Sequence, residues 1–177
     1  MENQLPKMKK MTVEDQGCFM LLLENIHPHM RLAFPNGAKI MAGLAAWIVN
    51  KFMEEETIHE GIASLLGTDE LAGHALNNVQ SVARADKYPG SMFALVPYIP
   101  VSDKVVQFQI TAIVEYCCTE ILALAGAMSE KLKDQDAWNN ETREKYEDFP
   151  LIRPSDIKAA VAQDKELKAA FGTLFKV

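Results

Sequence analysis

Cysteine, aromatic residues, bases and long apolar runs are all scarce in this 177-residue chain. The three cysteines are Cys18 and the adjacent Cys117 and Cys118. An odd count makes no disulfide framework, and neighbours on a helix do not readily bridge, so all three are expected as small buried hydrophobes. Aromatics make up 8% of residues against 49% apolar residues overall, with nine Met among them. Such a mixture favours helix over sheet, because unbranched side chains lose little rotamer freedom in a helix. No uninterrupted apolar run approaches the roughly 20 residues that span a bilayer. The opening Met-Glu-Asn-Gln-Leu-Pro-Lys-Met-Lys-Lys is not followed by the apolar stretch of a secretory signal. A soluble, intracellular chain with no membrane partner is expected, and the sequon at Asn140 carries little weight without secretion. Bases are outnumbered: 18 Lys and Arg face 24 Asp and Glu, for a net charge of -6, and both halves are acidic. That balance opposes nucleic-acid binding, which draws on cations facing phosphates.

What is present is a helical plan that occurs twice. The first half opens with an apolar segment, Cys18 to Ile26, ended by His27-Pro28 and a loop containing Pro35-Asn36-Gly37. From Ala38 to about Glu56, Ile40, Leu44, Ile48 and Phe52 recur at i+4 spacing, which predicts an amphipathic helix. Gly67 marks a stop and Thr68-Asp69 a new start, with helix to about Ala85. Asp86-Lys87-Tyr88-Pro89-Gly90 is the candidate boundary, dividing the chain into 1–90 and 91–177. After a short apolar piece, Met92 to Val96, the second half carries the longest periodic stretch, about Val106 to Lys133. Its stripe of Ile110, Ile113, Val114, Cys117, Ile121 and Leu124 predicts a helix buried along one broad face. A polar segment at about 134–149 is read as a solvated loop or frayed helix. A final helix starts at Pro154-Ser155-Asp156, burying Ile157, Ala160, Val161 and Leu167, with Phe171 and Leu174 on the same face. Neither half closes a core alone, so two units clasped head to tail are expected.

The blocks Ala112-Ile113-Val114-Glu115-Tyr116-Cys117-Cys118-Thr119-Glu120-Ile121-Leu122-Ala123-Leu124-Ala125-Gly126 and Pro154-Ser155-Asp156-Ile157-Lys158-Ala159-Ala160-Val161 resemble the central and last helices of histone 2A. Asp164-Lys165-Glu166-Leu167 is similar to that histone's acidic turn. The first half resembles histone 2B at Ile26-His27-Pro28, Val49-Asn50, Glu70-Leu71-Ala72-Gly73-His74-Ala75-Leu76 and Lys87-Tyr88. The order 2B then 2A in one chain is that of the histone doublets of giant viruses of the marseillevirus kind, and the compact length resembles their miniature variant.

The resemblance implies an all-α chain of two histone folds paired as an intrachain pseudo-heterodimer, 1–90 histone-2B-like with an extra C-terminal helix and 91–177 histone-2A-like with an acidic insertion. It implies a nucleosome core component with no cofactor and no catalytic site. Its partners would be double-stranded DNA, a histone 3–histone 4 type doublet or tetramer, and a second copy in the same nucleosome. Its place would be the virion and the viral factory or host nucleus. The implied DNA contacts are Arg31, Lys39, Lys104 and Arg153, made to the backbone and therefore independent of sequence. The implied acidic patch for basic peptides is Glu70, Glu115, Glu120, Asp164 and Glu166, with Ala123 and Lys165 standing where the family carries acids. Between Asn50 and Glu70 the chain is shorter than the family pattern by roughly 15–20 residues, several helical turns. Either the central and third helices are both trimmed, or 38–66 is one long helix and 68–85 takes the third helix's place. Basic tails are reduced to Lys7, Lys9 and Lys10.

Enzyme chemistry finds little to stand on. Glu56 and His59 have the Glu-x-x-His spacing of di-iron bundles, but no His follows His74 to supply a second copy. His27 and His29 flank Pro28 without further ligands, and no glycine pattern forms a phosphate loop. The rival expectation is a histone-fold interaction module, chaperone-like or a regulatory decoy, that does not touch DNA.

Overall fold

A computed structural model describes residues 5–26, 31–32, 36–83, 95–133 and 151–177. The expected boundary at Asp86, the His27–His29 pair and the acidic segment at 134–149 lie outside the described residues. The elements among the described residues are helices apart from one two-residue strand pairing, so the fold is all-α. Helix α1 is Val13–Ile26, β1 is Arg31–Leu32, α2 is Asn36–Met53, α3 is Ile58–Leu66 and α4 is Glu70–Ala83. A 3-10 turn at Val96–Tyr98 precedes α5, Lys104–Lys133; then follow β2, Leu151–Ile152, α6, Pro154–Gln163, and α7, Lys165–Phe175.

Local capping explains where these helices differ from the expected ones. Helix α1 begins five residues earlier than Cys18 because the Thr12 hydroxyl accepts from the Asp15 amide at 3.1 Å, with Glu14 and Asp15 at the positive end of the dipole. Its core face is Phe19, Met20 and Leu23; Cys18 lies on the outer face and is exposed, so it is not the buried hydrophobe expected. Of the two arrangements left open for 38–66, the chain adopts separate helices. Thr57 and Glu60 form a capping box, the Thr57 hydroxyl accepting from the Glu60 amide and the Glu60 carboxylate from the Thr57 amide. With two helical donors satisfied there, a new helix starts instead of the old one continuing. Helices α2 and α3 then approach so closely that a Cβ on Gly61 would lie 2.4 Å from the Phe52 ring. Gly67 ends α3 at φ 77°, ψ −143°, a backbone region that L side chains rarely adopt.

The second half follows the same logic. All of Ile110, Ile113, Val114, Cys117 and Ile121 are fully buried, as the 3–4 spacing requires, and Leu124 is half-buried. The stretch Lys104–Ser129 has mean hydropathy 1.5 and is long enough to cross a bilayer, although it holds no long unbroken apolar run. Here 61% of it is buried inside the protein, the environment of a core helix. The final helix is two helices. Asp164 leaves the helical region at φ −89°, ψ 124°, and its carboxylate accepts from the Leu167 amide at 2.8 Å, so one residue closes α6 and caps α7.

One core joins the halves. Phe19, Leu23, Met41, Leu44 and Ile48 of the first pack in the same cluster as Ile110, Ile113, Ile121, Ile157 and Phe171 of the second. Strand β1, just before α2, pairs in parallel with β2, which follows α5, in register Arg31 with Leu151 and Leu32 with Ile152. At the other end Phe52 and Met53 of α2 line one cleft with Val106 and Ile110 of α5. The start of α2 thus meets the end of α5, and the end of α2 meets the start of α5: the two run antiparallel. Helices α4 and α6 pack along α5, and α3 packs against α7. An N-terminal segment straps both halves, the Met8 amide donating to Asn50 Oδ1 at 2.8 Å and the Lys9 amide to the Tyr98 carbonyl at 3.2 Å. The Tyr98 hydroxyl in turn donates to Asp15 Oδ2.

Candidate functional site

The strand pairing gathers cations at one end. Arg31 sits in β1, Lys39 is exposed in the first turn of α2, and Arg153 is the residue before α6. Backbone register brings Arg31 beside Leu151, two residues before Arg153; the side chain of Arg31 is outside what the structure describes. Arg153 is not a free cation. Its Nε and Nη2 donate to the two oxygens of fully buried Asp156 at 3.2 and 3.1 Å, and its own amide donates to Asp156 Oδ2 at 2.8 Å. Burying Asp156 is tolerable only because a bidentate partner and a backbone donor satisfy it. The Arg153 side chain is 39% exposed. The start of α2 adds backbone N–H groups and the positive end of its dipole.

Lys104 is not with the others. It opens α5 at the opposite end and is exposed; the loop Glu54-Glu55-Glu56, which joins α2 to α3, lies at that end too. Of these acids Glu54 is engaged by Lys51 at 3.6 Å. Asp103 is occupied as a cap, accepting from the Val105 and Val106 amides. Among the candidates, Lys39 and Arg153 thus lie at the β1–β2 end, while the α2–α3 loop at the other end carries three consecutive acids. The triplet is plain in the sequence, but its place at the same end as the start of α5 needs the antiparallel pairing to be known.

The acidic residues converge as well. Glu70, Glu120, Asp164 and Glu166 line one cavity of about 250 Å³ with His74, Tyr116 and Leu124. Glu115 is half-buried on α5 outside that lining. Ala123 and Lys165 are exposed. Glu166 has a structural task, since its Oε2 accepts from the Leu71 amide at 2.8 Å and so caps α4 from the other half of the chain. Asp164 holds the start of α7, as described above. His74, 4.0 Å from Glu70 and 3.4 Å from the Tyr116 hydroxyl, meets the phenol ring edge-on. The Tyr116 phenol is pushed above its ordinary range, first by burial and then by its acidic neighbours, Glu120 foremost. Glu70, Glu120 and Glu166 thus stand around one cavity with this hydroxyl. Sequence reasoning missed His74 and Tyr116, which lie a helical turn from residues it did select.

Among the described residues no group of three His, Cys, Asp or Glu side chains is placed to hold a metal ion. Compared with family models and with curated proteins, the chain matches none.

Proposed function

We propose that this chain is a viral-type histone doublet: a histone-2B-like half and a histone-2A-like half paired as an intrachain pseudo-heterodimer. It takes the place of a 2B–2A dimer, assembles on a histone 3–histone 4 type doublet or tetramer, and enters a nucleosome in two copies. DNA is held by contacts to its backbone, without base readout. The single observation that carries this is the parallel pairing of Arg31–Leu32 with Leu151–Ile152, where α2 begins and α5 ends. It fits two helical units clasped head to tail, and it brings Lys39 and Arg153 to the same end as the start of α2. Four acids around one cavity support the further expectation of a surface for basic peptides, narrowed because Glu166 and Asp164 also cap helices.

The test is to mix the purified chain with histone 3–histone 4 partners and DNA and digest with nuclease. Protected DNA that co-purifies with this chain is the expected result. A second function, an interaction module that leaves DNA alone, is favoured by Glu54-Glu55-Glu56 at the second loop end and by the net charge of -6. It predicts capture of the histone partners with no protected DNA.

A further inference from the structure

The cavity of about 250 Å³ between α4, α5 and the start of α7 has one histidine in its lining. This is His74, on α4, with a side chain 56% exposed. Its Nε2 stands 4.0 Å from Glu70 Oε1, one turn back on the same helix, and its Nδ1 lies 3.4 Å from the Tyr116 hydroxyl of α5. Glu120 joins the lining from α5, and Asp164 and Glu166 join it from the start of α7. Among the described residues α3 and α6 add no charged side chain to it, and no lysine or arginine lines it. Lys165 lies between Asp164 and Glu166 in sequence and is exposed. Histidine is the side-chain type that changes charge between about pH 5 and 8, whereas a lysine ammonium stays charged throughout. Tyr116 remains a phenol over that range, because burial first and then Glu120 hold its proton on. Lys165 therefore sets a constant background, and His74 a variable one.

We propose that His74 is a pH-sensitive competitor built into this cavity, its imidazolium, once formed, standing in for a ligand's cation among the carboxylates. The inference rests on the reading of this surface as one for basic peptides and adds its regulation. With the ring neutral, Nδ1 can accept from the Tyr116 hydroxyl, and the carboxylates are open to an arginine. Proton uptake makes both ring nitrogens donors and puts a positive charge between Glu70 and Tyr116. A like charge on the order of 6 Å from a peptide guanidinium, in a water-like medium, weakens binding about threefold at low salt. Affinity for an arginine-bearing peptide thus falls as pH drops, and the fall shrinks as salt screens the pair.

The experiment measures binding of the full-length chain to Gly-Arg-Gly-Arg-Gly, rhodamine-labelled at its start and amidated at its end, so that the peptide keeps its charge. Fluorescence anisotropy is read in low salt at about pH 6 and about pH 8, either side of the histidine range. Affinity about threefold weaker at the lower pH is expected. His74→Gln should bind equally at both, as tightly as the parent chain does at the higher pH, and His74→Arg should bind weakly at both. The side chain at 74 is exposed, so both variants keep the fold. A pH response that survives in His74→Gln, no response in the parent chain, or His74→Arg binding as tightly as His74→Gln would each overturn the inference and leave the surface reading standing. No saturable binding at either pH, or affinity unchanged in Glu70→Gln/Glu120→Gln, would remove the surface reading and the inference with it.

Discussion

Glu166 offers the sharpest probe of how the halves are joined. Its carboxylate belongs to α7, yet it accepts from the Leu71 amide at 2.8 Å, near the start of α4 and 95 residues away in sequence. A helix cap of this kind is worth about 1 kcal/mol, and a negative charge at the helix start adds roughly 0.3–1 kcal/mol. Glu166→Ala removes both and leaves a half-buried amide unpaired, so destabilisation of about 1–2 kcal/mol is expected. Glu166→Gln keeps the acceptor and loses the charge, which is expected to cost about 0.3–1 kcal/mol. Against a total stability of roughly 5–15 kcal/mol these losses are readily measured by urea unfolding. The ranking Glu, Gln, Ala should hold in low salt, with the Glu–Gln gap narrowing as salt screens the charge. If Glu166→Ala matched the parent chain within error, or if Gln fell below Ala, the cross-half cap would not exist.

Gly61→Val should cost about 1–3 kcal/mol, because a Cβ there meets the Phe52 ring at 2.4 Å; Phe52→Leu in the same chain should recover part of the loss in thermal unfolding. Gly67→Ala should destabilise by about 1–3 kcal/mol through backbone strain at φ 77°, with no change in the contacts around it. Burial pushes the Cys117 and Cys118 thiols up from an ordinary 9.0, whereas Cys18 is exposed. A thiol reagent at mild alkaline pH should therefore label one cysteine in the folded chain and three after denaturation. Folded pKa values above the unfolded ones mean that this contribution is intact at neutral pH. It is lost as pH rises past about 9, where only the unfolded chain ionises; urea midpoints should fall there, and less steeply in Cys117→Ala/Cys118→Ala. In reconstituted particles Lys39→Glu should weaken DNA retention and lower the salt slope by about 1, and the particle should dissociate at lower salt than one built with basic doublets.

Much of this architecture was legible because periodicity reports burial. Helix α5 lies within two residues of its expected start, since its stripe keeps 3–4 spacing throughout and nothing within it caps or breaks the helix. Periodicity failed where two helices share one apolar phase. Ile58, Ile62 and Leu65 continue the pattern after Phe52, so spacing alone left 38–66 undecided, although Thr57-x-x-Glu60 spells a capping box. The break at Asp164 escaped for the same reason, with Leu167 and Phe171 continuing the face of Ile157 and Val161. The candidate cations and acids were chosen one by one. Their convergence at β1–β2 and around Tyr116 is a tertiary fact that no local pattern carries.

We propose above that this polypeptide acts as a ready-made histone pair on DNA. Native mass spectrometry of the nuclease-trimmed particle tests it most directly. Two copies of this chain together with histone 3–histone 4 partners and a protected DNA fragment are expected. Histone partners bound to this chain with no DNA, or a DNA particle from which the chain is missing, would contradict it.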